Sequence, residues 1–553
     1  MDMEKAHLDV ADRGTSEHEE AQVDLNLEEL NYGPPGFRGI FSSSYVAFCA
    51  SFAAIGGLLF GYDQGVISVT LTMTEFLNRF PQVSEGAPGA GFYKGLMTAM
   101  ITLGAFFGAL NQGWLSDTYS RRRTIMIAVV IFTTGSAIQT GAIDYGMLVA
   151  GRFIGGIGIG ILSSVVPLYI SEISAPQIRG TLLVFEQLSI VTGIVIAFWI
   201  TYGTRNIPSH WSWQLPFLLQ ILPGLLLGFG AILLPYSPRW LASKGRDEES
   251  LKNLAKLRQL PITDNRVQKE WMEIIAESRF QHKVMAERHP NLVGGGLGNT
   301  LRLEVVSWTD LVKKGCWRRT QVGAGLMFFQ QFVGINSLIY YSPTLFETMG
   351  FGLDMQLIMS GVLNIAQLVA CLSSLWTMDR YGRKMLLLWG SVGMTISHVV
   401  IAGLVGGYSS NWPAHTAQAG VSVAFLFIYM LSYGATWGPV PWAMPAEIFS
   451  STLRAKGVAV STSSNWINNF IIGLITPPLI QSTGFGTYVF FAAFCLLSFV
   501  WAWFCIPETK GATLEQMDEV FNDRSNTEEV HRKNLILNDV VREKANTTRA
   551  VEP

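Results

Sequence analysis

The sequence predicts an all-α membrane protein: twelve transmembrane helices in two six-helix halves, joined by a helical loop on the cytoplasmic side. Three observations carry this. Charged residues make up 14% of the 553-residue chain, against about 25% in a soluble protein. Apolar runs long enough to cross a bilayer recur along it; Phe41 to Tyr62, for example, contains no charge. Charged motifs of the first half return in the second at matching positions.

Crossing about 30 Å of hydrocarbon takes about 20 apolar residues as helix, and backbone polar groups in lipid must bond within the segment. Spans are expected near 41–71, 93–116, 124–143, 147–171, 181–203 and 212–235. The second set lies near 321–345, 355–378, 385–406, 417–443, 455–480 and 486–506. The last two come from dividing the charge-free stretch Gly457–Pro507 at the turn-forming QSTGFGT. With a cytoplasmic N-terminus, short inner loops hold Arg121, Arg122, Arg123, Arg179, Arg380, Arg383, Lys384, Arg454 and Lys456. Outer loops and their edges hold only Arg79, Lys94 and Arg205. Basic residues concentrate on the cytoplasmic side, so both termini are placed there. Residues 1–40 read as a mostly disordered tail, 41–235 and 321–506 as the two halves, 236–320 as a linker of short amphipathic helices, and 507–553 as a second tail.

Asp117 and Arg121 in GWLSDTYSRRR recur as Asp379 and Arg383 in DRYGRK, and Glu172 and Arg179 in SEISAPQIR recur as Glu447 and Arg454 in AEIFSSTLR. PYSPR has a weaker echo in PETK. A six-plus-six duplication with sites between the halves is transporter architecture. The eight motif charges can form inter-helix ion pairs that close the cytoplasmic side, and they also serve as topology signals. A net charge of -2 gives no reason to expect nucleic acid. Five scattered cysteines suggest no disulfide framework. No metal cluster or nucleophile–base pair stands out, so neither an enzyme nor a cofactor is expected.

Amides recur at matching depth. Gln187 lies about eight residues beyond Arg179, roughly 12 Å into its span at 1.5 Å per residue. Gln330, Gln331 and Asn336 on the seventh span, Asn364 on the eighth and Asn465 on the eleventh fall near the same midplane. Such amides suit sugar hydroxyls, and they also serve as ordinary glue between helices. Trp442 and Trp466 offer ring-packing or gating surfaces. Tyr340 and Tyr341 read equally as an outer gate or as an interfacial aromatic pair. Pro439 and Pro441 in WGPVPW break the tenth span, as a hinge or as a static kink.

Three charges fall well inside spans: Asp63, Arg152 and Glu186. Charges at membrane depth pair or line a pathway. The first span runs outward with Asp63 late in it, and the fourth runs inward with Arg152 early, so the two can meet in the outer half. They read as a proton-coupling pair or as a permanent ion pair. Glu186 points about 100° away from Gln187 around the helix, and no role is assigned to it.

Taken in order, GYDQGV, GWLSD, AGRFIGGIGIG, PYSPRWL, QQFVGIN, DRYGRK, WGPVPWAMPAEIFSSTLRAKG, SNWINN and PETKG resemble the sugar porter branch of the major facilitator superfamily, fungal monosaccharide carriers in particular. The resemblance covers about residues 45 to 515. It implies a sugar site at Gln187, Gln330, Gln331, Asn336, Asn364, Trp442 and Asn465, and an acid–arginine proton pair at Asp63 and Arg152. It further implies secondary active monosaccharide uptake with protons, by a monomer in the plasma membrane. A passive facilitator, a carrier of a disaccharide or quinate-like acid, and a non-transporting sensor remain as alternatives. Two departures stand at Ser120, where the family has Gly, and Tyr236, where it has Glu.

Overall fold

In a computed structural model the chain is described at residues 32–34, 39, 43–175, 177–288, 302, 306, 308–313, 316–449, 453–509, 521 and 525–551. Most of the expected N-terminal tail lies outside these residues. Among them helices are the only regular elements.

Six spans form the first half: Ser44–Thr70, Ala90–Tyr119, Arg121–Thr140, Tyr145–Ile173, Arg179–Thr204 and Trp211–Ala231. In the second half, spans seven to ten are Trp317–Glu347, Leu353–Met378, Arg383–Tyr408 and Thr416–Ile448, and span twelve is Gly486–Cys505. These eleven are apolar enough to cross a membrane. The eleventh in order, Arg454–Thr483, is a 30-residue helix, but it buries Ser461, Thr462, Ser463, Asn465 and Asn469. Those polar residues face the protein interior, which is why hydropathy alone undervalues it. Expected and observed spans agree to within about a turn at either end.

Glycines set how closely spans approach. A Cβ at Gly61 would run into the Ile190 carbonyl, and one at Gly160 into the Ala105 carbonyl. Spans one and five, and spans two and four, therefore touch backbone to backbone, as small residues allow in membranes.

Two spans are broken. Span ten runs to Ala435 and resumes at Val440, the interruption its prolines led us to expect; Pro439 precedes the restart and Pro441 sits in its first turn. Span seven, expected to be continuous, stops at Phe332 and resumes at Ile335. Gly334 has φ +100, a conformation that only glycine adopts readily. The Val333 carbonyl freed by this break accepts the Tyr429 hydroxyl at 2.9 Å.

At the start of span three, Ser120 has φ +85, and its repeat counterpart Gly382 has φ +91. The repeat needs a glycine at this corner, and Ser120 carries the strain. Its Oγ accepts the Arg123 N–H at 3.4 Å, a partial recompense. Ser120→Gly is expected to gain about 1 kcal/mol, since glycine costs little as an N-cap. A lower thermal midpoint for the purified variant would show that the hydroxyl cap outweighs the strain.

After span six come Pro238–Ser243, Asp247–Arg258 and Asn265–Arg288. The apolar faces of the last two, Leu254 and Ile274 among them, cluster with Val540 of a helix at Ser525–Val551. Arg279 pairs with Glu543 at 2.8 Å and Arg532 with Glu287 at 3.0 Å. From the sequence this last segment reads only as a tail, and the structure docks it on the linker.

Arg258 clamps the linker to the first half. It donates to the Ile173 carbonyl at 2.8 Å and the Ser174 carbonyl at 3.3 Å, satisfying groups left open at the end of span four. It also meets Glu270 at 2.6 and 2.8 Å. Burial raises the Glu270 carboxyl, but Arg258 outweighs it and holds the group below its ordinary range. A depressed carboxyl adds stability above its unfolded pKa and loses it as pH falls through the folded value. The clamp should therefore hold at neutral pH and open only in acid. Arg258→Ala leaves Glu270 buried and unpaired, a loss of about 3–5 kcal/mol. Amide exchange in Asn265–Arg288 should accelerate accordingly; unchanged protection would refute the clamp.

Candidate functional site

Between the halves lies a narrow cavity of about 40 Å³. Both breaks border it. Gln330 and Gln331 line it from just before the break in span seven, and Asn336 from just after. Trp442 lines it from the resumed part of span ten, Asn465 from span eleven and Gln187 from span five. Six of the seven residues expected at a sugar site are thus brought together. Asn364 is buried on span eight but does not line the cavity; Gln367, one turn along, does.

The amides hold one another in place. Gln330 Nε2 donates to the carbonyls of Trp437 at 2.9 Å and Gly438 at 3.1 Å, which are the groups released by the break in span ten. Its Oε1 accepts Asn465 Nδ2 at 2.6 Å, and Asn336 Nδ2 donates to Gln331 Oε1 at 2.5 Å. Ile190, Val191, Ile194, Ile335 and Ile339 supply an apolar wall. The lining residues include no charged side chain.

Sequence reasoning missed Phe60, Gln64, Gln367, Tyr433 and Asn469, which also line the cavity. Helical spacing could have found two of them. Asn469 is one turn beyond Asn465, and Gln367 is one turn beyond Asn364.

On the side away from the linker, Tyr340 roofs the cavity. Its hydroxyl accepts Gln64 Nε2 at 3.2 Å and donates to Asn469 Oδ1 at 3.4 Å, so it joins the two halves. Tyr341 donates to the Gly473 carbonyl at 2.8 Å. Arg205 pairs with Asp354 across the halves at 2.7 Å. Trp466 does not line the cavity; its Nε1 donates to Ser163 Oγ at 3.1 Å, and its ring meets Phe60 edge-on at 4.8 Å.

Asp63 and Arg152 do meet. Arg152 Nη2 lies 3.5 Å from Asp63 Oδ2, with side-chain exposures of 0% and 3%. Arg152 also reaches Gln139 Oε1 at 3.5 Å and the Thr98 carbonyl at 3.4 Å. Every contact is long, and Asp63 Oδ1 and Arg152 Nε have no partner. The pair stands beside the cavity without lining it, with Gln64 between. Glu186 is buried against Gly57 of span one.

The motif charges pair inside each half. Arg121 meets Asp117 and Glu172, both at 2.9 Å, and Arg383 meets Glu447 at 2.9 Å. Arg179 and Arg454, expected to pair as well, have no ionic partner among the described residues. The side chain of Asp379 lies outside them.

A family model described as "Sugar (and other) transporter" matches residues 49–521. The chain belongs to that family, the sugar porters of the major facilitator superfamily. The transporter is 33% identical over 482 residues to a protein of Aspergillus flavus named "Probable quinate permease", covering 85% of this chain and 87% of that one. It is also 33% identical to "MFS glucose transporter mfs1" of the same species, covering 86% and 90%. Its structure is similar to that of the proton:xylose symporter XylE bound to 6-bromo-6-deoxy-D-glucose, with a TM-score of 0.69 and 27% identity. That match covers 87% of the transporter and 99% of XylE.

Proposed function

We propose that the protein imports neutral monosaccharides, hexoses and pentoses alike, together with protons, by alternating access. It acts as a monomer in the plasma membrane, with the linker and both termini in the cytoplasm. The observation that carries the substrate class is the cavity lining. Gln64, Gln187, Gln330, Gln331, Asn336, Gln367, Asn465 and Asn469 present amides, with apolar Ile190, Val191, Ile194, Ile335 and Ile339 beside them and no charge. Amides match ring hydroxyls, and the wall matches a CH face. Coupling rests on Asp63 and Arg152, a buried pair whose long contacts a single proton can undo. Asn364, buried away from the lining, is left out of the sugar contacts.

A second reading, a quinate carrier, is supported by the name of the Aspergillus flavus relative. A carboxylate entering this cavity meets no cation in its lining, and burying an unpaired charge is costly. Competition uptake with hexoses, pentoses, a disaccharide and quinate, with and without a protonophore, separates the readings. Strong competition by quinate alone would overturn the monosaccharide assignment. Uptake insensitive to the protonophore would leave a facilitator.

Gln330 is expected to matter twice. Gln330→Leu removes the donor to two buried carbonyls, at about 1–3 kcal/mol each, and takes the acceptor from Asn465. The thermal midpoint should fall and the transport KM rise at least tenfold. A KM unchanged in a folded variant would remove Gln330 from the sugar site.

A further inference from the structure

His398 lies on span nine, buried among aromatic rings. Neither of its ring nitrogens has a hydrogen-bond partner. A neutral imidazole carries one donor and one acceptor, and leaving both buried and unsatisfied is costly. A phenyl ring would fill the same place without that cost, so the two nitrogens need an explanation.

The neighbours supply one. Three rings surround the imidazole, with centroids at 4.6 Å for Tyr429, 5.7 Å for Phe491 and 6.3 Å for Tyr488. Each of the three also bears on span seven. The Tyr429 hydroxyl donates at 2.9 Å to the Val333 carbonyl, the group freed by the break. Phe491 packs on the break itself, where a Cβ at Gly334 would come within 2.9 Å of its ring. Tyr488 meets Thr348 Oγ1 at 3.1 Å and the Leu345 carbonyl at 3.4 Å, near the far end of the resumed helix. That helix, Ile335–Glu347, carries Asn336 into the cavity lining and Tyr340 onto its roof. The Val333 carbonyl lies beside the imidazole as well, outside hydrogen-bond geometry while the roof is closed. Tyr429 stacks in turn on Tyr433, another lining residue, at 6.4 Å.

We propose that His398 is a positioning residue for the outer part of span seven, the alternate hydrogen-bond partner of its break. When the roof opens, Ile335–Glu347 swings about Gly334. The Val333 carbonyl then passes from the Tyr429 hydroxyl to the imidazole N–H, and the Tyr429 hydroxyl donates to the other ring nitrogen. One hydrogen bond is replaced by two, so the open roof gains a bond that the closed roof lacks. The purpose of this swap rests on the transport reading, but its detection does not.

Amide hydrogen exchange of the purified full chain, followed in Ile335–Glu347, reports roof opening whatever the substrate. His398→Phe keeps a ring in place and removes both nitrogens. Amide exchange in that helix should slow about tenfold, the effect of one hydrogen bond lost from the open state, with the other spans unchanged. In proteoliposomes the variant should lose about tenfold in maximal sugar uptake rate, with KM within about threefold of the parent because Asn336 keeps its place. His398→Gln retains a donor and an acceptor and should bring both readouts back to within about threefold of the parent. His398→Leu carries the same expectation as His398→Phe and replaces it if the bulkier ring prevents folding. An imidazole that merely fills space gives the reverse pattern. Unchanged or faster amide exchange in the folded Phe and Leu variants, or a Gln variant as defective as they are, would overturn the swap. Slowed amide exchange in a carrier whose parent moves no sugar upholds the swap and overturns the transport reading.

Discussion

Asp63→Asn is expected to abolish uphill sugar accumulation while leaving equilibrative exchange in place. One pH unit is worth about 1.36 kcal/mol, so one-to-one symport across that gradient sustains about tenfold accumulation. The variant should reach a ratio of one. Asp63 is almost fully buried and meets Arg152 only at 3.5 Å. A proton on the carboxylate removes the attraction, and Arg152 then falls back on Gln139 and the Thr98 carbonyl. Asparagine fixes that neutral condition permanently. Span one is then free to shift, and the effect passes to the cavity through Gln64, which both lines it and touches Tyr340. Asp63 needs no contact with the sugar to do this. Proteoliposomes under an imposed ΔpH measure the ratio, and counterflow measures exchange. Accumulation by the variant would refute coupling at Asp63. Loss of both activities in a folded variant would make the pair a fixed strut.

Much of this arrangement is legible in the sequence because lipid leaves few choices. A segment in hydrocarbon must be helical and about 20 residues long, so the spans stand out even where motifs do not. The break in span ten is announced by Pro439 and Pro441. The break in span seven is not, because Gly334 sits in an apolar run like many glycines that helices tolerate. What makes it a break is Tyr429, 96 positions away, whose hydroxyl accommodates the freed carbonyl. Depth along a helix is likewise legible, whereas facing is set by packing. Depth places Gln187, Gln330 and Asn465 correctly at the cavity, and it also selects Asn364 where Gln367 is the lining residue. Ion pairs between distant segments follow the same limit. The opposed directions of spans one and four foretell Asp63 and Arg152, but nothing local tells that Arg121 and Arg383 engage the motif glutamates while Arg179 and Arg454 form no ion pair among the described residues.

The seams between helices lead to the second large expected effect. Within the first half, Gly160 packs on the Ala105 backbone and Gly61 on the Ile190 backbone. Those seams hold one rigid body together, so a side chain there prevents the half from assembling. Gly95 packs just as closely, but its neighbour belongs to the other half. A Cβ at Gly95 would meet the Leu474 carbonyl, with Leu474 Cα and C at 3.1 Å. One turn earlier, Gly91 faces Pro478 and Gln481 in the same way. Backbone cannot give by an ångström without breaking a helix, so the crowding is relieved only by moving span eleven away from span two. That motion is the opening of the side remote from the linker, the outer side in the proposed orientation. Gly95→Trp is therefore expected to fold and to stay open outward, with transport reduced at least a hundredfold. A bias of that size needs only about 2.7 kcal/mol between two states, less than a clash with fixed backbone supplies. Sugar added outside should still protect the variant against thermal unfolding. Gly160→Trp, in contrast, should yield little folded protein. Parent-like transport by Gly95→Trp would mean that spans two and eleven do not form the moving seal.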